Sequence, residues 1–265
     1  MGLRKLLASL GAGGASVETE LTQADVVPGG VVQGEVRIAG GSVEQRIEKL
    51  SVGLQARVEV ERKDAQGNDT EYHQNIEFHR QQIGGEFALA AGAVYNVPFT
   101  LEVPWETPVT MFLGRHLTGM KLGVTTELAI DRAVDAGDLD AVNVHPLPAQ
   151  QALLDAFGQL GFAFKSADLE KGTLRHTRQR LPFYQEIEFH APSQYRGLKQ
   201  VELTFVADGG EMDVVLEMDK KAGLLGGGSD AYRSFTMSLH AYEQTDWTAY
   251  LHQWLAEVGG KRNWF

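Results

Sequence analysis

The sequence predicts a mainly β protein of two tandem β-sandwich domains with a few short helices, and three observations lead there. Leu50, Val52, Leu54, Ala56, Val58 and Val60 alternate without a break with Ser51, Gly53, Gln55, Arg57 and Glu59. That period of two marks a strand with one buried and one wet face, whereas a helix would scatter the polar residues round its axis. Short alternating runs then recur along the chain between Gly- and Pro-rich turns. Finally, His145-Pro146-Leu147-Pro148 favours an extended break near the middle, which divides the chain into domains at 1–144 and 145–265.

In the first half, Val17-Thr19-Leu21 opens the alternation, Val27-Pro28-Gly29-Gly30 turns the chain, and Val32, Val36 and Ile38 carry the second strand. Gly40-Gly41 leads to the long run at 50–60, and Asp64 to Asp69 form a polar hairpin loop. Residues 81–92 are poorly patterned. Tyr95, Val97, Phe99, Leu101 and Val103 form a strand in which Pro98 implies an edge position or a bulge. Pro104-Trp105-Glu106-Thr107-Pro108 stops it. Leu122 to Ile130 alternate again and run into an acidic loop, Asp131 to Asp140.

The second half opens with a helix. Ala149, Ala152, Leu153, Ala156, Phe157 and Leu160 share one face, and Gly161 is placed to end it. Gly158 costs this helix roughly 1 kcal/mol relative to Ala. Val201 to Ala207 and Met212 to Met218 flank Asp208-Gly209-Gly210-Glu211, which reads as a hairpin with a two-residue turn. A glycine-rich loop at Gly223 to Gly228 precedes a strand from Phe235 to Ala241. A closing helix spans about 246–258, with Asp246 as its N-cap and Trp247, Tyr250, Leu251, Trp254 and Leu255 on one face.

Composition bounds the function. The 265 residues carry a formal net charge of −11, opposite to the basic footprint of a nucleic-acid binder. There are no cysteines, so disulfides and thiolate metal sites are excluded; this fits a reducing cytosol. Leu3, Leu6, Leu7 and Leu10 recur at helical spacing beside Arg4 and Lys5, but Gly11, Gly13 and Gly14 cut the apolar core too short for a signal peptide. This turn either docks on its own protein or makes a weak membrane contact.

No nucleophile elbow or P-loop is present, and the eight histidines do not cluster in sequence. The weak metal candidate is the acidic loop, where Asp131, Asp135, Asp138 and Asp140 supply calcium-type oxygens without the spacing or bidentate Glu of an EF-hand. Its plainer reading is a solvated turn, and no metal or cofactor is assigned. His176, Arg178 and Arg180 would share one face of an extended segment. That positive stripe either pairs with carboxylates of the same chain or binds an acidic partner. Trp264 and Phe265 end the chain and either pack on it or dock on another subunit, which would allow a homodimer.

Several stretches together resemble a known family. They are Val27-Pro28-Gly29-Gly30-Val31-Val32-Gln33-Gly34-Glu35-Val36, Phe99-Thr100-Leu101-Glu102-Val103-Pro104, Leu160-Gly161-Phe162, Leu181 to Phe189 and Val215 to Lys221. They look like the bacterial sporulation-control proteins of arrestin-like fold, over nearly the whole chain and in the right order. The resemblance implies two arrestin-like, immunoglobulin-type sandwiches. It also implies a cytoplasmic, non-enzymatic regulator or adaptor that binds other proteins, its sheet edges accepting an extended segment by strand addition. The alternatives are a peripheral membrane scaffold held by the N-terminal turn and a small-ligand carrier.

Overall fold

The computed structural model describes residues 8–9, 14–63, 67–130, 136–220 and 231–260, and the fold is mainly β. The strands of the first half are β1 (Ala8–Ser9), β2 (Ser16–Gln23), β3 (Asp25–Val26), β4 (Val31–Ala39), β5 (Gln45–Lys63), β6 (Asp69–Gly84), β7 (Phe87–Leu89) and β8 (Val94–Glu102). There follow β9 (Met111–Phe112), β10 (Arg115–His116), β11 (Leu122–Ile130), β12 (Ala136–Ala141) and β13 (Asn143–Val144). Helix α1 (Pro148–Gln159) precedes β14 (Ala163–Lys171), β15 (Phe183–His190), β16 (Leu198–Ala207), β17 (Glu211–Lys220) and β18 (Ala231–Ser238), and α2 (Trp247–Gly260) closes the described chain. No helix among the described residues is long and apolar enough to cross a membrane.

These residues form two compact units. The first holds the described residues through Arg57, with Gln74–Pro104 and Lys121–His145; the second holds Val58–His73, Trp105–Met120 and the residues from Pro146 onward. Two stretches of the first 144 residues, the tip of the β5–β6 hairpin and the segment 105–120, thus belong to the second unit.

In the first unit a sheet in the order β1-β2-β4-β8 faces a second one built from β12, β11 and β5, to which β6 and β7 also pair. The Thr19 and Thr126 hydroxyls, one from each sheet, share a buried 2.7 Å hydrogen bond across the interior. Val17, Val32, Val36, Ile38, Leu50, Leu54, Leu101, Val124 and Leu128 surround it as the core. The register expected for β5 holds, with Leu50, Val52, Leu54, Ala56 and Val58 all buried. Its other face is not wet throughout. Ser51 and Gly53 are buried too, because β6 runs so close that a Cβ on Gly53 would lie 2.6 Å from the His79 carbonyl oxygen. Pro98 sits opposite Glu35 on β8, the edge of its sheet, where its missing N–H leaves no ladder bond unmade.

The second unit is an antiparallel sheet in the order β14-β15-β16-β17-β18, and residue 59 of β5 bridges to Glu170 at the β14 side. The odd-numbered side chains of β15 (Phe183, Gln185, Ile187 and Phe189) point into the core. Phe157 of α1 stacks on Phe189 with ring centroids 4.9 Å apart, and Phe235 of β18 stacks on Trp247 of α2 at 5.7 Å. The Gln185 amide accepts from the Val109 N–H (3.0 Å) and donates to the Val109 carbonyl (2.8 Å), which pins the 105–120 segment to this face. Two helices and a loop therefore cover the sheet. The hairpin turn at Gly209-Gly210 is as expected, with Gly209 at φ 96°. The Asp246 carboxylate caps α2 by accepting from the Ala249 N–H at 2.9 Å. The last strand begins at Ala231 and ends at Ser238, earlier than the alternation implied.

Candidate functional site

The opposite face of the second unit's sheet carries the residues that stand out chemically. Along each strand, positions two apart share a face. Asp168 and Glu170 of β14 therefore line up with Tyr184, Glu186 and Glu188 of β15, Glu202 of β16 and Glu217 of β17. Cross-strand pairing sets them directly against one another: Asp168 opposite Glu186, Glu188 opposite Glu202, Glu202 opposite Glu217, and Glu217 opposite Tyr232. Glu59 lies beside Glu170 at the sheet's margin. Like charges in directly opposed positions destabilise a sheet, so this array is a cost that the fold carries.

Among the described residues, Lys165 and His73 are cationic groups that meet it. Lys165 is bonded to Glu188 and donates to Gln200 at 3.1 Å. The His73 ring stands 4.0 Å from Glu59. At one end of the face the segment 172–182 folds over the sheet: Leu174 packs with Val206, Val215 and Tyr184, and Arg178 reaches Asp213. Beyond that cover the carboxylates are only half-buried.

Burial and crowding hold these acids partly protonated. Burial, with Glu188 and Glu59 near by, pushes the Asp168 carboxyl up to about 6. Burial and the neighbouring Glu59, Asp168 and Glu61 lift Glu170 to about 7. Burial, then Glu202, Asp168 and Glu170, lift Glu186 to about 8. Glu202 rises to about 7 by burial, against the Gln200 amide that donates to it at 2.9 Å. Burial and Glu71 raise Glu59 as well. Two groups of three, Asp168 with Glu170 and Glu186, and Glu186 with Glu202 and Glu217, each bring one carboxylate oxygen per residue within 4.8 Å of one another. Such a face can take up protons or positively charged groups.

The basic stripe does not exist as an extended strand. The chain turns at 175–177, and His176 adopts a left-handed φ of 60°. The cause is local: the Thr177 hydroxyl donates to the Leu174 carbonyl, and the Gln179 amide ties Leu174 to Gly172 and Leu181. Arg178 turns inward. Its guanidinium donates to Asp213 (3.0 and 3.1 Å), Asp208 (2.7 Å) and Glu211 (3.1 Å). The turn N–H groups of Glu211 and Gly210, and after them the Arg178 guanidinium, hold the Asp208 carboxyl down to about 2. The Arg180 and Leu181 N–H groups donate to the Glu106 carboxylate, while the Arg180 and His176 side chains are exposed.

The acidic loop is also corrected. Asp138 and Asp140 belong to β12, paired with Thr126 and Val124, because the alternation of β11 recruits a partner strand. Asp131 and Asp135 lie outside the described residues, as do Leu3, Leu6, Leu7, Leu10, Trp264, Phe265 and the glycine-rich loop. A cavity of about 520 Å³ is lined by Phe112, Leu113, Arg115, His116, Leu117, Thr118 and Phe164, and none of the shifted carboxyls borders it. The sequence reading passed over the acidic face. Its signal was the alternation of Phe183-Gln185-Ile187-Phe189 with Tyr184-Glu186-Glu188.

Comparison with known proteins gives one consistent result. The model of the SpoOM protein family matches residues 3–222. The sporulation-control protein Spo0M of Bacillus subtilis (strain 168) is 33% identical over 226 residues, covering 84% of this chain and 83% of that protein. The crystal structure of Spo0M from Bacillus subtilis superposes with a TM-score of 0.77 at 27% identity, over 92% of this chain and 99% of the other.

Proposed function

The chain belongs to the SpoOM protein family, and we propose that it is a non-enzymatic, cytoplasmic regulator that acts by binding another protein. The relative's name supports a regulatory role, and the motif resemblance supports tandem arrestin-like domains. The observation that carries the binding reading is the acidic sheet face. Opposed, half-buried carboxylates cost stability, and a fold retains such a cost where the surface is used. A Lys- or Arg-rich segment laid across β14 to β17 would supply the missing positive charge, with Tyr184 and Tyr232 offering ring faces to its cations. An adaptor of this kind needs no catalytic constellation. The cavity beside Phe112 is bordered by none of the shifted carboxyls that a hydrolytic site would gather.

Affinity purification from the native cell tests the proposal. The tagged wild type is compared with D168N/E186Q/E202Q and with E48Q/E102Q, which removes exposed charge from the first unit instead. A protein held by the wild type and the E48Q/E102Q control but released by the face variant is the expected result. Equal retention by all three, or retention of nothing, contradicts it.

A further inference from the structure

The segment 105–120 of the second unit carries a hairpin tip that breaks two local rules at once. Phe112 of β9 pairs with Arg115 of β10, so Leu113 and Gly114 between them form the turn. Both take a left-handed φ, of 50° and 70°. Hairpin turns with positive φ at both central residues favour Asn-Gly, because a bulky side chain is strained there. Leu113 is also 73% exposed, more than any other large apolar residue among those described. A side chain both strained and exposed, at a position that Asn would serve better, points to a contact outside the fold.

Two hollows meet at this tip. The cavity of about 520 Å³ takes its apolar lining from Phe112, Leu117 and Phe164. A second, of about 430 Å³, reaches Leu154 of α1 and Phe162. Phe112, Leu113 and Phe164 border both, so apolar ground continues from one to the other. The floor is fixed: Phe112 lies 5.6 Å from Phe164 and 6.4 Å from Phe189, ring centroid to ring centroid. The two ends differ in charge. Arg115 and His116 line the first cavity, both exposed, and neither side chain has a hydrogen-bond or ion-pair partner among the described residues. Arg115 stands directly across from Phe112 and shares its face, which sets a permanent cation beside the aromatic floor. The second cavity has Asp155 instead.

We propose that this trough seats a small amphipathic carboxylate of the fatty-acid type. Its head pairs with the Arg115 guanidinium, with the His116 ring as a second donor, and its acyl chain runs over Leu113 and Phe164 towards Phe162 and Leu154. An unpartnered guanidinium at one end selects an anionic head. The continuous apolar floor selects a chain over a compact ring, and Asp155 repels the head from the far end. Both hollows fall within the roughly 300–1,000 Å³ typical of small-ligand sites. The trough shares no residue with the acidic face and is independent of what docks there.

Calorimetric titration of the full chain with sodium decanoate, kept below its micellar range, tests the seat. Decanoate should saturate at one per chain. Decyltrimethylammonium has the same chain with a cationic head, and acetate has the head alone; each should bind at least about tenfold more weakly. Arg115→Gln should weaken decanoate about tenfold or more, because a charge-assisted contact is lost. Arg37→Gln, which removes an exposed cation of the first unit, should leave the affinity unchanged. Leu113→Asn suits the turn, so the thermal midpoint should hold or rise while decanoate weakens about fivefold. No saturable decanoate binding, equal affinity for the cationic amphiphile, or undiminished affinity in R115Q or L113N overturns the proposal. Sedimentation with phosphatidylglycerol vesicles but no binding of free decanoate overturns it too, and assigns the tip to a bilayer surface. Self-association that L113N abolishes, again without decanoate binding, overturns it in favour of a second copy of the chain.

Discussion

Replacing Arg178 by Ala should destabilise the second unit by about 3 kcal/mol, while Arg180→Ala should change it by no more than about 0.5 kcal/mol. The Arg178 side chain is 23% exposed and that of Asp213 is 9% exposed, so truncation leaves a nearly buried carboxylate without its cation. Breaking a buried pair costs about 3–5 kcal/mol. The lower end applies here, because Asp213 keeps the Thr236 hydroxyl at 2.7 Å and the residue-178 N–H at 2.8 Å. Asp208 and Glu211 are 37% and 59% exposed and add little. The assay is urea or thermal unfolding read by tryptophan fluorescence. Trp105, Trp247 and Trp254 lie in the second unit, and the segments of the first contain no tryptophan. A loss of about 3 kcal/mol shifts the midpoint by roughly 6–12 °C. The Asp208 and Asp213 carboxyls titrate below their ordinary value, so the gap between wild type and R178A should persist at neutral pH and close as pH falls towards 2. A neutral-pH penalty under about 0.5 kcal/mol, or equal losses from R178A and R180A, would refute the assignment of Arg178 as an internal tie.

Two further substitutions probe the frame that presents the face. Gln185→Leu removes both bonds to Val109 and leaves a buried N–H and carbonyl unmet; stability read by tryptophan-monitored unfolding should fall by about 2–4 kcal/mol, and an unchanged midpoint would contradict the tie between the 105–120 segment and the sheet. Gly34→Ala places a Cβ 2.7 Å from the Glu20 carbonyl oxygen and 2.8 Å from the Phe99 ring; β2, β4 and β8 should lose hydrogen-exchange protection corresponding to about 1–3 kcal/mol, and full protection would mean that the sheet yields freely.

What was legible in the sequence follows from how local each cause is. Strand β5 could be read because one alternating run sets which residues enter the core, and β11 repeats the same pattern. The Gly209-Gly210 turn and the cap at Asp246 are likewise fixed within a few residues. The acidic face is not local. Its carboxylates come from five strands, and only pairing brings Glu186 against both Asp168 and Glu202. Arg178 shows the same limit, since its partners lie 30–35 residues away and a turn at His176 replaces the extended stripe that spacing alone suggests. The burial of Ser51 and Gly53 escaped for a related reason: β6 approaches from outside the run that defines β5.

The central claim is that the acidic face of the second unit is where another protein binds. Zero-length carbodiimide coupling joins a carboxylate only to an amine in direct contact, so it can be applied to the chain together with its co-purified partner and read by mass spectrometry. The account predicts crosslinks from Asp168, Glu186, Glu202 or Glu217 to lysines of a basic partner segment, weakened by salt. Crosslinks confined to carboxylates of the first unit, with the face unmodified by partner lysines, would contradict it.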